Sequence, residues 1–119
     1  MELIYASEKL KEQCTSLKAA RKLFGGNTPL SVSLLSRINA LKNANTLHDI
    51  VVQPAFHFHN LINNRKGYFS IDVKSRREAY RIILQPLDEN REPYDDPRID
   101  QIAKKVRIIE IAEVSKHYE

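Results

Sequence analysis

The sequence has one cysteine, three glycines and no long apolar run, and each shortage excludes a class of protein. Cys14 cannot form an internal disulfide and has no second cysteine for a zinc site, so a reducing compartment is expected. The longest apolar runs are a few residues, whereas a membrane-spanning helix needs about 20. The first five residues lack the layout of a secretion signal, and the glycines form no phosphate-binding loop. We therefore expect a cytoplasmic protein without a membrane span, a metal or another cofactor.

The length and charge describe a basic protein with one core. The 119 residues suffice for a single domain over residues 1–119. The net charge of +4 favours an anionic partner. Residues 65–81 carry six basic and two acidic side chains, whereas residues 82–100 carry six acidic and two basic ones. The basic segment is a candidate nucleic-acid surface, although two solvated loops of opposite sign would give the same pattern.

Apolar residues at helical spacing predict two helices near the N-terminus. After a possible edge strand over residues 1–5, Ser7 can cap a helix whose apolar residues recur every three or four positions up to Phe24. A glycine pair ends it. Asn27 or Thr28 caps a second helix, which carries an apolar stripe to Leu41. The two helices are predicted to form a hairpin that needs a covering layer.

Alternation of period two predicts strands in the second half of the chain. The predicted strands cover residues 56–59, 68–73, 80–85 (ended by Pro86) and a covered central one, 106–114. In the second of them Phe69, Ile71 and Val73 are expected to face inward, and Tyr68, Ser70 and Asp72 outward. The acidic segment 87–104 is predicted to contain one helical turn near residues 99–104. The expected architecture is α+β: an N-terminal two-helix hairpin packed on a twisted, mainly antiparallel sheet of about four strands.

Polar side chains fall on the outward face of this sheet and at its C-terminal end. They are His57, His59, Tyr68, Arg81, His117 and Tyr118. Imidazole, phenol and guanidinium groups together suit RNA cleavage, which needs a base for the ribose 2′-OH, a cation for the phosphorane and an acid for the leaving oxygen. A His-x-His pair is more often two solvated residues, and no further ligands stand at metal-site spacing. Asp72 is an alternative partner for the arginine.

The order of these motifs resembles that of RelE/ParE-superfamily toxins, within them the HigB or plasmid-maintenance killer branch. The motifs are His59-Asn60-Leu61, Arg65-Lys66-Gly67, the alternating Tyr68–Val73 and Tyr80-Arg81-Ile82-Ile83. The helical hairpin before them and the strand with its His/Tyr tail after them also fit. The resemblance implies a RelE-like fold and the toxin of a type II toxin–antitoxin system, an endoribonuclease that cuts mRNA in the ribosomal A site.

The resemblance also implies roles for residues at matching positions. The catalytic set would be His59, Arg81 at the scissile phosphate, His117 and Tyr118. By the same matching Arg65, with Lys66, would hold the RNA backbone. Beyond the resemblance, Arg76 and Arg77 are expected to add electrostatic docking, and Tyr68 completes the predicted RNA-binding set. The branch usually ends in Asp-Tyr-His, whereas this chain ends in Lys-His-Tyr-Glu, so either tail residue remains a candidate for the acid or the base.

The implied partners are mRNA and ribosomal RNA, and a cognate antitoxin of the helix-turn-helix type that alone contacts operator DNA. Two alternatives remain. One is a ParE-like inhibitor of DNA gyrase, which lacks the catalytic side chains, and the other is an inactive homologue that still binds its antitoxin. The acidic segment 87–104 is longer than the connection in the shortest members, and it would limit ribosome access or contact the antitoxin.

Overall fold

A five-stranded mixed sheet forms the centre of the molecule, which is seen in a computed structural model that describes residues 1–61 and 66–116. The strands are β1 (Glu2–Tyr5), β2 (His59–Asn60), β3 (Phe69–Asp72), β4 (Tyr80–Leu87) and β5 (Ile108–Lys116). Their order is β1-β5-β4-β3-β2. The last four form the expected antiparallel meander, and β1 adds to β5 in parallel at the edge. The sheet thus has one strand more than the predicted four.

Among the described residues, four helices precede the meander and a fifth lies between its last two strands, and helical side chains cover one face of the sheet. Within the described ranges they are α1 (Glu8–Thr15), α2 (Leu17–Leu23), α3 (Thr28–Asn43), α4 (His48–Val51) and α5 (Ile99–Ile102), with a 3₁₀ turn at Pro54–Phe56. The side chains of α3 that meet the sheet are the predicted stripe, Leu30, Leu34, Ile38 and Leu41, all buried. The sheet contributes Phe69, Ile71, Ile82, Leu84, Ile109 and Ile111 to the same cluster. The α+β class is therefore confirmed.

The predicted first helix is divided in two at Ser16, which corrects the two-helix hairpin. The Ser16 backbone is extended, with φ −123° and ψ 123°. Its N–H still donates to Glu12 O at 2.9 Å, while its hydroxyl accepts from Ala19 N at 3.3 Å. Serine can end one helix and cap the next because its side chain replaces a missing backbone partner. The apolar periodicity survives the break, since Cys14 and Ala20 are both fully buried.

The strand predicted over residues 56–59 is mostly absent. Pro54 opens a 3₁₀ turn that buries Phe56, and His57 then adopts a left-handed conformation with φ 49° and ψ 52°. Pairing with β3 begins only at His59. The period-two pattern correctly placed Phe56 on the buried side. The pattern did not predict the turn that begins at Pro54, whose backbone conformation is not that of a strand. Both histidines consequently lie close together, with ring centroids 5.0 Å apart.

Strand β4 continues through Pro86 instead of ending there. Pro86 pairs with Ile109 of β5, whereas the pairing of β3 with β4 ends at Leu84. The missing N–H of proline is tolerated because β3 no longer runs alongside at this point. The predicted central strand is confirmed, since β5 lies between β1 and β4. The helical turn predicted in the acidic segment is α5, and none of the described helices is long and apolar enough to cross a membrane.

Candidate functional site

The candidate site lies on the sheet face opposite the helices, where the strand registers form two cross-strand rows. One row is His59, Ser70, Ile83 and Glu113, and the other is Asp72, Arg81 and Ser115. The sequence predicts Ser70 and Asp72 on this face, but as outward residues. They are instead 0% and 1% exposed. Histidine and arginine side chains from the neighbouring segments contact them, so the second face of β3 is covered.

The centre of the site is an ion pair between Asp72 and Arg81. Arg81 Nε lies 3.0 Å from Asp72 Oδ1, and the two side chains are 14% and 1% exposed. The alternative partner named from the sequence is thereby confirmed. This contact is an ion pair without a hydrogen bond, since neither Arg81 Nε nor Asp72 Oδ1 has a hydrogen-bond partner among the described residues. Arg81 Nη1 also donates to the carbonyls of Glu78 at 2.7 Å and Tyr80 at 3.1 Å, which fixes the guanidinium at the end of β4.

His57 faces the same carboxylate oxygen as Arg81. Its Nδ1 lies 3.5 Å from Asp72 Oδ1, and its side chain is 36% exposed. The Nδ1 atom itself is buried. The exposed part of the imidazole must therefore be the edge that faces away from Asp72. The sequence placed His57 on the polar face but gave it no role, and the turn that brings it to Asp72 has no period-two signature.

His59 is held by two hydrogen bonds that define its tautomer. Nδ1 lies 3.1 Å from His57 O, and Nε2 lies 3.0 Å from the hydroxyl of Ser70. A carbonyl oxygen can only accept, so Nδ1 carries the proton in the neutral ring. Nε2 then has a lone pair that accepts from the serine hydroxyl. This arrangement gives His59 a fixed orientation and one basic nitrogen, as a proton acceptor requires.

Arg37 of α3 supports the site from the helical side and was missed by the sequence reasoning. Its Nε donates to Asp72 O and its Nη2 to Lys74 O, both at 3.0 Å. Nη2 also donates to Ala55 O at 3.3 Å, and the guanidinium lies 4.6 Å above the ring centroid of Phe56. Burial lowers the pKa of Arg37, and the nearby Asp72 charge opposes that shift.

A sequence signal for Arg37 did exist. The residue stands seven positions after Leu30 and four before Leu41, on the apolar stripe of α3. A charged side chain at such a position needs partners inside the structure. Here those partners are carbonyl groups at the end of β3 and in the 3₁₀ turn, which ties the segment before His57 to the strand that carries Asp72.

The predicted RNA-binding residues fall in two places. Arg76 and Arg77 are exposed in the β3–β4 turn, which joins the strand ends that carry Asp72 and Arg81. Tyr68 is half-buried just before β3, and Lys66 is exposed. Arg65, His117 and Tyr118 lie outside the described residues. The structure thus brings His59 and Arg81 onto one face, with exposed arginines at the Asp72–Arg81 end of it.

The acidic segment approaches the chain near Lys66. A concavity of about 670 Å³ is lined by Asn60, Leu61, Lys66, Gly67 and residues 95–98. Arg98 donates to both carboxylate oxygens of Asp96, from Nε to Oδ1 and from Nη2 to Oδ2, and these hydrogen bonds lower the pKa of that carboxyl. The Lys66 charge adds slightly to the shift. Lys66 therefore has acidic neighbours in its own chain. A larger concavity of about 780 Å³ lies over α1 and α2, away from the histidines.

The described residues contain no group of three or more histidine, cysteine or acidic side chains arranged to hold a metal ion. No model of a known protein family matches the chain, and no curated protein matches it. The resemblance to RelE/ParE toxins therefore stays a prediction that rests on the motif residues. What the site offers chemically is two adjacent imidazoles, a buried carboxylate and a guanidinium at the edge of a sheet.

Proposed function

We propose that this protein is an endoribonuclease, the toxin of a type II toxin–antitoxin system, which cuts mRNA on the ribosome. The observation that supports the proposal is the shared face of His59 and Arg81. His57 and Asp72 connect the two: the His57 ring centroid lies 5.0 Å from that of His59, and Asp72 Oδ1 lies 3.5 Å from His57 Nδ1 and 3.0 Å from Arg81 Nε. A proton acceptor and a phosphate-binding cation on one face are the minimum for cleavage beside a ribose 2′-OH.

The proposed first step uses the basic nitrogen of His59. Its Nε2 takes the proton of the 2′-OH, which displaces the Ser70 hydroxyl from this nitrogen. The 2′ oxygen forms a bond to phosphorus, the bond from phosphorus to the 5′ oxygen breaks, and an acid protonates that oxygen. The products are a 2′,3′-cyclic phosphate and a 5′-hydroxyl end. The Arg81 guanidinium, fixed by Asp72 and two carbonyls, stabilises the extra negative charge of the phosphorane.

The basic turn supplies the attraction for RNA in this proposal. Lys74, Arg76 and Arg77 are exposed between the strand ends that carry Asp72 and Arg81. Such residues bind phosphates without regard to sequence, so the affinity for RNA falls as salt rises. The proposal includes action in the cytoplasm, contact with mRNA and ribosomal RNA, and neutralisation by a helix-turn-helix antitoxin that alone contacts operator DNA.

The test is cleavage of a defined mRNA on purified ribosomes, with the new ends mapped by primer extension. We expect the wild-type protein to cut the mRNA, and we expect His59→Gln and Arg81→Lys to lower the rate by about 100-fold or more. Arg21→Gln is the matched control, because Arg21 is an exposed arginine of α2. An mRNA left intact by the wild type, or cut equally by the two site variants, would contradict the proposal. Inhibition of DNA gyrase with intact mRNA would favour the ParE-like alternative.

A further inference from the structure

We infer that His57 is the second proton-transfer residue of this site, the general acid that protonates the departing 5′ oxygen. The inference rests on the proposed RNA cleavage and adds a residue to it. The tail residues His117 and Tyr118 were the sequence candidates for this role, and they lie outside the described residues. His57 stands beside His59 and Asp72 in the described part of the chain, so the site can supply both proton-transfer groups from one segment.

The orientation of the His57 ring supports this role. Nδ1 is buried and faces Asp72 Oδ1 at 3.5 Å, while the side chain as a whole is 36% exposed. The exposed edge is therefore the one that carries Nε2. His59 has the opposite arrangement, because both of its nitrogens already contact protein atoms, His57 O and the Ser70 hydroxyl. Of the two imidazoles, His57 has the nitrogen that a substrate can reach without displacing a protein group.

The backbone of His57 also supports this role, because it is left-handed with φ 49° and ψ 52°. Glycine and asparagine adopt this conformation at lower cost than histidine does. The surrounding structure holds it in place: His57 N donates to Pro54 O at 3.0 Å, and His57 O contacts His59 Nδ1. Arg37 holds the preceding turn through Ala55 O. A less favourable residue at a left-handed position is typical of a functional site, where the side chain matters more than backbone stability.

The proton balance gives the two histidines complementary roles. His59 takes the proton of the 2′-OH at Nε2, and the His57 imidazolium gives its Nε2 proton to the 5′ oxygen as the bond from phosphorus to that oxygen breaks. At the end His59 is protonated and His57 is neutral, and exchange with water restores both. The attacking and departing oxygens flank one phosphorus atom, and two rings with centroids 5.0 Å apart can serve both.

The test replaces His57 with the residues that its backbone prefers. We expect His57→Asn and His57→Gly to melt at the same temperature as the wild type or above it, while mRNA cleavage on ribosomes falls by about 100-fold or more. His48→Asn is the matched control, since His48 is a half-buried histidine of α4, and it should cleave at the wild-type rate. A His57 with only a structural role predicts the reverse, which is lower stability or unchanged cleavage.

An mRNA with sulfur in place of one 5′ bridging oxygen separates the acid from the base. A thiolate leaves without protonation, so His57→Asn should cleave this bond at nearly the wild-type rate, whereas His59→Gln should remain slow. Three results for His57→Asn would each contradict the role of His57: cleavage of ordinary mRNA at the wild-type rate, equally slow cleavage of both substrates, or lower stability than the wild type. None of them would contradict the proposed endoribonuclease activity. A wild-type protein that cuts neither substrate would overturn both.

Discussion

The buried ion pair should make Asp72 and Arg81 strongly dependent on each other for stability. Removing one member of a buried pair leaves the other charge without compensation, which costs about 3–5 kcal/mol. Asp72 is 1% exposed and Arg81 14% exposed, and Arg81 keeps two carbonyl partners, so we expect the lower end, about 3 kcal/mol, for Asp72→Asn. Arg81→Met should cost about the same, since it leaves the carboxylate buried.

The double variant distinguishes this account from two independent contacts. Because Asp72→Asn/Arg81→Met removes both charges and leaves none uncompensated, it should cost about 1 kcal/mol or less rather than the sum of about 6, a coupling of about 5 kcal/mol. Urea unfolding measures these differences. With a denaturant slope of about 2 kcal/mol per M, each single variant lowers the midpoint by about 1.5 M.

The matched control is Arg98→Met, which breaks an exposed contact with Asp96 and should leave the urea midpoint unchanged. Additive effects of the two site substitutions would refute the reasoning. So would single-variant losses as small as that of the control, because both results mean that water already reaches Asp72.

Three other outcomes follow from described contacts. Ser16→Ala removes the hydroxyl that accepts from Ala19 N, so the free energy of unfolding measured in urea should fall by about 1 kcal/mol. Thr15→Ala, at the exposed neighbouring residue, should lower it by less. Equal losses for the two variants would contradict the capping role of Ser16. Arg37→Met should raise amide exchange at the residues around Ala55 and His57, since three carbonyls lose their donor, and unchanged exchange would contradict the clamp. Burial raises the pKa of Cys14 from 9.0 to about 12, so above pH 9 the unfolded chain loses a proton that the folded chain keeps. Stability should then fall by about 1.4 kcal/mol per pH unit up to about pH 12, and Cys14→Ala should reduce this slope; equal slopes in urea unfolding from pH 8 to 11 would show that the thiol is not shielded.

Local patterns predicted the elements that local physics determines. The apolar spacing of α3, the caps at Ser7 and Asn27 and the alternation of β3 and β4 are properties of neighbouring residues, and the structure confirms them. The α+β class could be predicted because the apolar stripes of the helices and the apolar face of the sheet are each removed from water when they pack together. The parallel addition of β1 to β5 joins residues about a hundred positions apart, and no local pattern encodes such a pairing.

The candidate site was predicted in part for the same reason. The period-two alternation assigned His59 and Asp72 to one face of the sheet. It does not predict whether side chains of another segment cover that face. In the structure Asp72 is 1% exposed, and both His57 and Arg81 contact its Oδ1. The position of His57 depends on a proline-initiated turn and a left-handed residue, which the period-two interpretation read as a strand.

Strand β5 lies between β1 and β4, so the first strand to be synthesised must wait for the last described one before it can join the sheet. Until Ile108–Lys116 has left the ribosomal tunnel, one edge of β4 has no neighbour and β1 has no pairing partner. The strand that carries Arg81 then has a neighbour on one side only, which is β3 with Asp72. A chain that has been synthesised only as far as β4 is therefore expected to have an incomplete sheet, which closes once β5 can insert between β1 and β4.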